Sequence, residues 1–254
     1  MGKIIAIANQ KGGVGKTTTA VNLSAYLGAK RKKVLLCDMD PQGNATSGFG
    51  IDKNKMEHCI YDALINDMPL SVLIQKTATK NVSIVPAGQD LSGAEIELVE
   101  ETEREKKLKK QLDLVKDDYD YTIIDCPPAV GLLSLNALNA ADSLLITLQC
   151  EFYALEGLGK VTGTYQLVKQ HMNPNLTLEG IVLTMYDSRT RLSLEVEEEV
   201  RTHFKEKVFK TVIPRNIRLS EAPGFGMSIL EYDPKSKGAL AYQALAKEVI
   251  RRNG

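Results

Sequence analysis

Residues 10–18 read Gln10-Lys11-Gly12-Gly13-Val14-Gly15-Lys16-Thr17-Thr18, a pattern suited to holding a chain of phosphates. The glycines let the backbone turn tightly and bring successive N–H groups to face one cavity. Lys16 is placed to reach the outer phosphates, and Thr17 offers a hydroxyl to Mg²⁺. An apolar run precedes the loop and a helical pattern follows it, so the positive end of a helix adds to the same cavity. A second group, Asp38-Met39-Asp40-Pro41-Gln42-Gly43, leaves another apolar run. Phosphoryl transfer to water needs a group that orients the nucleophile; Asp40 suits that role, with Asp38 supporting the metal region. Alone, Asp40-Pro41 reads equally well as a turn or helix cap. In a third group, Tyr121-Thr122-Ile123-Ile124 carries Asp125 toward the metal shell, and Cys126-Pro127-Pro128 fixes a sharp exit able to act as a switch.

These groups need a scaffold that brings the ends of several strands together. Near-continuous apolar, β-branched runs predict strands at residues 3–9, 33–39, 82–86, 121–125, 143–149, 178–184 and 208–213. Amphipathic stretches at 17–30, 103–116, 155–171, 192–205 and 238–251 predict helices between and after them. This alternation predicts an α/β fold: a doubly wound, mostly parallel, twisted sheet with helices on both faces. At 254 residues, and with no Pro/Gly/Ser-rich linker, the chain reads as one domain over 1–254. The charge-dense run 103–110 reads as a solvated helix face.

Lys+Arg and Asp+Glu are equal at 32 each, so contact with nucleic acid would have to come from a local patch. Cys37, Cys59, Cys126 and Cys150 form no CxxC pair, which argues against a zinc ribbon and for small buried side chains in a reducing compartment. No apolar stretch is long enough to span a bilayer, and the N-terminal run is too short for a signal peptide.

An ordinary phosphate-binding loop carries Gly six residues before its lysine; here that position is Gln10, and Lys11 precedes the glycines. The resulting K-G-G-x-G-K-T-T resembles the deviant Walker A motif of the ParA/MinD superfamily of P-loop ATPases. Ala94-Glu95-Ile96-Glu97-Leu98, the run from Gln149 to Leu158, and the run from Pro214 to Pro223 extend the resemblance, and they are most similar to the ParA/Soj chromosome-partitioning proteins.

The resemblance implies ATP and Mg²⁺ as cofactors and slow, partner-stimulated ATP hydrolysis. Residues 11–18, namely Lys11, Gly12, Gly13, Val14, Gly15, Lys16, Thr17 and Thr18, would hold the nucleotide. Thr17, Asp38 and Asp125 would serve the metal, and Lys11, Lys16 and Asp40 the chemistry. Lys11 would reach across an ATP-bound homodimer to the partner's nucleotide. Pro214 and Asn216 would meet the adenine, where an amide can both donate and accept.

Arg189 and Arg218 match positions the family uses on non-specific double-stranded DNA; Arg191, Arg215, Lys235 and Lys237 are further cations nearby in sequence. A centromere-binding protein of the ParB/Spo0J kind would be the stimulating partner. The implied location is cytoplasmic and nucleoid-associated. The first predicted strand begins by Lys3, so the chain reads as the short, chromosomal type. Residues 246–254 lack the apolar content of the MinD membrane helix, so stable membrane association is not expected. A MinD-like positioning ATPase and a metabolic P-loop enzyme such as dethiobiotin synthetase are the competing readings. Lys11 weighs against the second, because a solitary active site has no evident need for it.

Overall fold

The computed structural model describes residues 2–254. In chain order its elements are β1 (Lys3–Ala8), α1 (Lys16–Ala29), β2 (Val34–Asp38), α2 (Asn44–Gly48), α3 (Ile60–Ile65), α4 (Leu70–Leu73), β3 (Gln75–Lys76), β4 (Val82–Val85), α5 (Leu91–Glu97) and α6 (Lys107–Asp113). Then follow β5 (Tyr121–Asp125), α7 (Leu132–Ala140), β6 (Ser143–Gln149), α8 (Ala154–His171), β7 (Thr177–Thr184), α9 (Arg191–Phe204), α10 (Ile217–Glu221), α11 (Ile229–Tyr232) and α12 (Lys237–Asn253).

The apolar runs are strands because both of their faces are covered. Ile5 and Ile7 of β1, with Val34 and Leu36 of β2, pack against α1 and α12 through Leu23, Leu27, Tyr242, Leu245 and Val249. Ile4 and Ala6, with Leu35 and Cys37, pack on the opposite layer, built from α3 and α5 to α9. Side chains alternate across a strand, so a run buried on both sides has no polar positions to spare. The seven strands lie in the order β3-β4-β2-β5-β1-β6-β7. All pairings are parallel except the short antiparallel β3–β4 contact. Strand order reverses around β1, which places a crevice beyond the carboxyl ends of β1, β2 and β5. All four cysteines are free and buried.

Two expectations need correction. Residues 208–213 do not form a strand. Phe209 N–H and Ile213 N–H reach Ile181 O and Leu183 O at 2.8 Å each, but Lys210 N–H and Thr211 N–H turn instead to the Glu248 carboxylate at 2.9 and 3.0 Å. A buried side chain on α12 thus takes the donors a ladder would use, and Arg252 braces it at 3.0 Å. The predicted helix 103–116 is also shorter, running Lys107–Asp113. Glu103 has φ of +50°, and Lys106 N–H closes a turn onto its carbonyl at 2.8 Å, so the charged run begins as a turn.

Candidate active site

Strand register brings the separate motifs together. Asp125 lies opposite Asp38 on one side and Ile7 on the other, so three chain exits share one end of the sheet. The exit of β1 is the glycine loop. Gly13 and Gly15 have φ of +75° and +84°, a left-handed backbone that L side chains resist. The loop is anchored from outside. The Thr184 hydroxyl donates to Val14 O at 2.9 Å, and Gln10 Nε2 donates to Thr164 Oγ1 at 3.0 Å and Lys160 O at 3.2 Å. Among the described residues the N–H groups of residues 12–18 take no protein acceptor, and α1 has no side-chain cap. A row of unpaired donors at the positive end of a 14-residue helix is an anion site.

Lys16 sits in this cavity, 6% exposed. Its Nζ donates to Lys11 O at 3.2 Å. Burial lowers its pKa, while Asp125, Cys126 and Asp40 pull the other way.

Asp125 is fully buried, and neither carboxylate oxygen has a hydrogen-bond partner. Burial and then the Asp38 charge push its pKa well up; the nearby Thr17 hydroxyl, outside hydrogen-bond geometry, and the Lys16 charge offset this only in part. An orphaned buried carboxylate costs several kcal/mol unless a cation completes it. The donor set of Asp125 and the Thr17 hydroxyl therefore fits Mg²⁺, a hard cation that takes oxygen ligands.

Asp38 has a different environment. Oδ2 accepts from Thr46 N and Thr46 Oγ1 at 2.8 and 2.7 Å, and Oδ1 from Asp40 N at 3.2 Å. Burial pushes its pKa up to about 6, against the pull of the Thr46 and Asp40 hydrogen bonds. These bonds tie Asp38 to the loop that carries Asp40. Asp40 Oδ1 accepts from Gln42 N at 3.0 Å, leaving Oδ2 without a protein partner among the described residues.

Beside the glycine loop a cleft of about 690 Å³ is lined by Gly15, Thr18, Thr184, Pro214, Asn216 and Tyr242, among others. Asn216 Oδ1 is already committed, because it caps α10 by accepting from Arg218 N at 2.9 Å. Nδ2 has no protein partner among the described residues, so it is the atom of this amide most available to a ligand. Thr184 and Tyr242 went unnoticed in the sequence, since neither stands in a motif. Tyr242 is tied to α1 through Thr19 at 3.0 Å.

Lys11 points away from this cavity. Its Nζ pairs with Glu151 Oε2 at 2.6 Å, with both side chains nearly half exposed. Gln149 Nε2 donates to the same carboxylate. At this end of the sheet Val130, Phe152 and Tyr153 are exposed.

Of the two arginines singled out in the sequence, Arg189 lies on the loop after β7 and Arg218 on α10. Tyr186 N–H meets Ile213 O at 3.0 Å and Arg215 N–H meets Tyr186 O at 3.2 Å, which sets the loop after β7 beside residues 213–218. Arg189 makes a two-pronged contact with Asp187 at 2.9 and 2.7 Å, and Arg218 pairs with Glu221 at 2.8 Å. The Arg189 guanidinium holds the Asp187 carboxyl well below the usual range.

Known proteins share this sequence and fold. An AAA domain family model matches residues 2–178. The sporulation initiation inhibitor protein Soj of Bacillus subtilis is 57% identical over 98% of both chains. The chromosome partitioning protein ParA of Myxococcus xanthus is 55% identical over 100% of this chain and 89% of its own. The chain belongs to the ParA/Soj family of chromosome-partitioning ATPases. Its fold is also that of the cobyrinic acid a,c-diamide synthase from Mycobacterium smegmatis, solved with bound ADP and magnesium. That protein is 38% identical with a TM-score of 0.87, over 99% of this chain and 95% of that one. In this ParA/Soj family chain, the glycine loop and the strand ends that carry Asp40 and Asp125 lie at one end of the sheet.

Proposed function

We propose that this ParA/Soj family ATPase is an ATP-driven switch: it pairs into a homodimer around ATP, rides on double-stranded DNA without sequence preference, and lets go after hydrolysis. The observation that carries the reading is the pairing of two features at one end of the sheet. A cavity of unpaired N–H groups, Lys16 and the orphaned Asp125 is ready for a nucleotide with its cation. Just outside it, the exposed Lys11 stands near uncovered apolar side chains.

The N–H groups of residues 12–18 and Lys16 hold the phosphates, and Pro214 and Asn216 hold the adenine. Asp125 and Thr17 hold Mg²⁺, which neutralises charge on the outer phosphates when bound. The free Oδ2 of Asp40 orients the attacking water. Lys11 exchanges Glu151 for the triphosphate of a second subunit. An exposed ion pair contributes only about 0–1 kcal/mol, so giving it up costs little. The same reasoning covers DNA: Arg189 and Arg218 swap their surface carboxylates for backbone phosphates, and a dimer presents both pairs at once. A ParB/Spo0J-type protein is the stimulating partner, and the nucleoid the place of action.

One feature weighs against a membrane-positioning role. The apolar face of α12, including Tyr242, Leu245 and Val249, is occupied by the core.

Binding to duplex DNA is expected with ATP and not with ADP or without nucleotide. Asp40→Ala should strengthen and prolong it by blocking hydrolysis. Neutralising about four phosphates predicts a log–log salt slope of roughly −3.6. Absence of binding in every nucleotide state, in wild type and Asp40→Ala alike, would overturn the proposal. The arginine assignment has its own test. Arg189→Glu combined with Arg218→Glu should lower DNA affinity about a hundredfold or more at moderate salt, with basal ATPase intact. Unchanged DNA binding in that variant would move the interface elsewhere.

A further inference from the structure

The segment Ala94-Glu95-Ile96-Glu97-Leu98 takes no part in the chemistry described above, yet one of its side chains reaches toward the active site. Glu95 lies on α5, on the layer that flanks the exit of β5. Its Oε2 accepts from Leu132 N at 2.8 Å and its Oε1 from Leu133 N at 3.2 Å. These are the first N–H groups of α7, a helix whose own N-cap is Gly131 and supplies no side chain. A carboxylate 37 residues away thus does the capping that a local Ser or Asp does elsewhere.

The residue at 131 is matched to this arrangement. A Cβ there would fall 2.4 and 2.5 Å from the two Glu95 oxygens. The loop between Asp125 and α7 is pinned at both ends. Cys126 N–H donates to Ile7 O at 3.2 Å, and the Ser134 hydroxyl donates back to Ala129 O. Between these points the chain passes through Pro127 and Pro128, which leave little freedom of φ. The placement of residues 126–131 therefore depends on where α7 begins, and that start is held from α5. α5 in turn is braced to α3 by Tyr61 Oη donating to Glu97 at 2.9 Å, while Ile96 between the two glutamates is exposed.

We propose that Glu95 is a positioning residue for ATP hydrolysis: by capping α7 it fixes the loop that leaves Asp125 and so holds the metal-facing end of β5 in its working geometry. This rests on the ATPase reading and adds to it the residue that couples the outer layer to the site. Loss of the cap loosens the loop without touching the phosphate-binding N–H groups or the base cleft. Small misplacements at a reacting centre cost rate more than they cost ground-state binding.

The experiment compares wild type, Glu95→Ala, Glu95→Gln, Gly131→Ala and the Glu95→Ala/Gly131→Ala double variant. It reads kcat and KM for Mg²⁺-ATP, ADP affinity with and without Mg²⁺, thermal melting, and amide exchange over residues 126–135. Glu95→Ala should lower kcat roughly tenfold with KM changed less than about twofold. ADP affinity in EDTA should be unchanged, the extra affinity conferred by Mg²⁺ should shrink, and exchange across 126–135 should quicken. Glu95→Gln keeps one acceptor and should recover part of kcat. Gly131→Ala should mimic Glu95→Ala by ejecting the carboxylate, and the double variant should be no worse than either single one.

Unchanged kcat in Glu95→Ala, or equal losses of ADP affinity with and without Mg²⁺, would overturn the assignment, as would additive losses in the double variant. ATP turnover by wild type tests the underlying reading separately. Should wild type not turn over, the Mg²⁺ increment in ADP affinity and the exchange comparison still decide the role of Glu95.

Discussion

Lys16→Ala should weaken nucleotide binding severely while leaving the protein folded. Lys16 is a buried cation beside the carboxylates of Asp125 and Asp40, and the unpaired N–H groups around it supply direction but no full charge. Losing a desolvated ammonium from contact with phosphate costs about 2–5 kcal/mol, or roughly thirty- to several-thousand-fold in affinity. Folding is nearly indifferent for a physical reason. Burial already disfavours the charged lysine, so removing it relieves a desolvation cost even as the carboxylates lose a compensating charge. Calorimetric titration with ADP and ATP, alongside a thermal melt, checks both halves. Wild-type affinity in this variant would refute the phosphate role of the loop.

Asp125→Asn has effects of opposite sign on stability and activity. The native carboxylate is fully buried with both oxygens unpartnered, and burial raises its pKa strongly. Such a group opposes folding of the nucleotide-free protein. An amide of nearly the same shape carries no charge to desolvate, so the free protein should gain about 1–3 kcal/mol. It also makes a poor ligand for a hard cation, so Mg²⁺-dependent hydrolysis should fall by about a hundredfold or more. Melting curves without nucleotide, and turnover against Mg²⁺ concentration, measure the two effects. A nucleotide-free variant less stable than wild type, or one with an unaltered Mg²⁺ dependence, would remove Asp125 from the metal shell. The prediction captures a trade often found at active sites, where a group arranged for function strains the empty protein.

Much of this site was legible because phosphate binding depends on contiguous sequence. Gly12 through Thr18 form one turn, and the strand before it and helix after it are visible as apolar and amphipathic runs. Asp38, Asp40 and Asp125 were legible as carboxylates at strand ends, and parallel register does the rest. What escaped depends on contacts between distant residues. Nothing in residues 208–213 distinguishes a strand from an extended segment whose N–H groups are taken by Glu248, because both bury the same apolar side chains. β3 escaped because Gln75 and Lys76 carry no apolar signal at all. The Lys11–Glu151 pair spans 140 residues and the Glu95 cap 37, beyond the reach of local patterns. Asn216 looked like a free amide until α10 claimed its oxygen.

The place of β1 in the sheet bears on how the chain is made. Its neighbours are β5 and β6, whose residues begin at Tyr121 and end at Gln149. During synthesis the first strand therefore emerges long before either partner exists, and the glycine loop after it has no frame to hold its shape. Until β5 and β6 have been made, an apolar hexapeptide, Lys3–Ala8, stays without its sheet. Pairings this distant in sequence close slowly. The frame of the glycine loop is therefore complete only once β5 and β6 have been made.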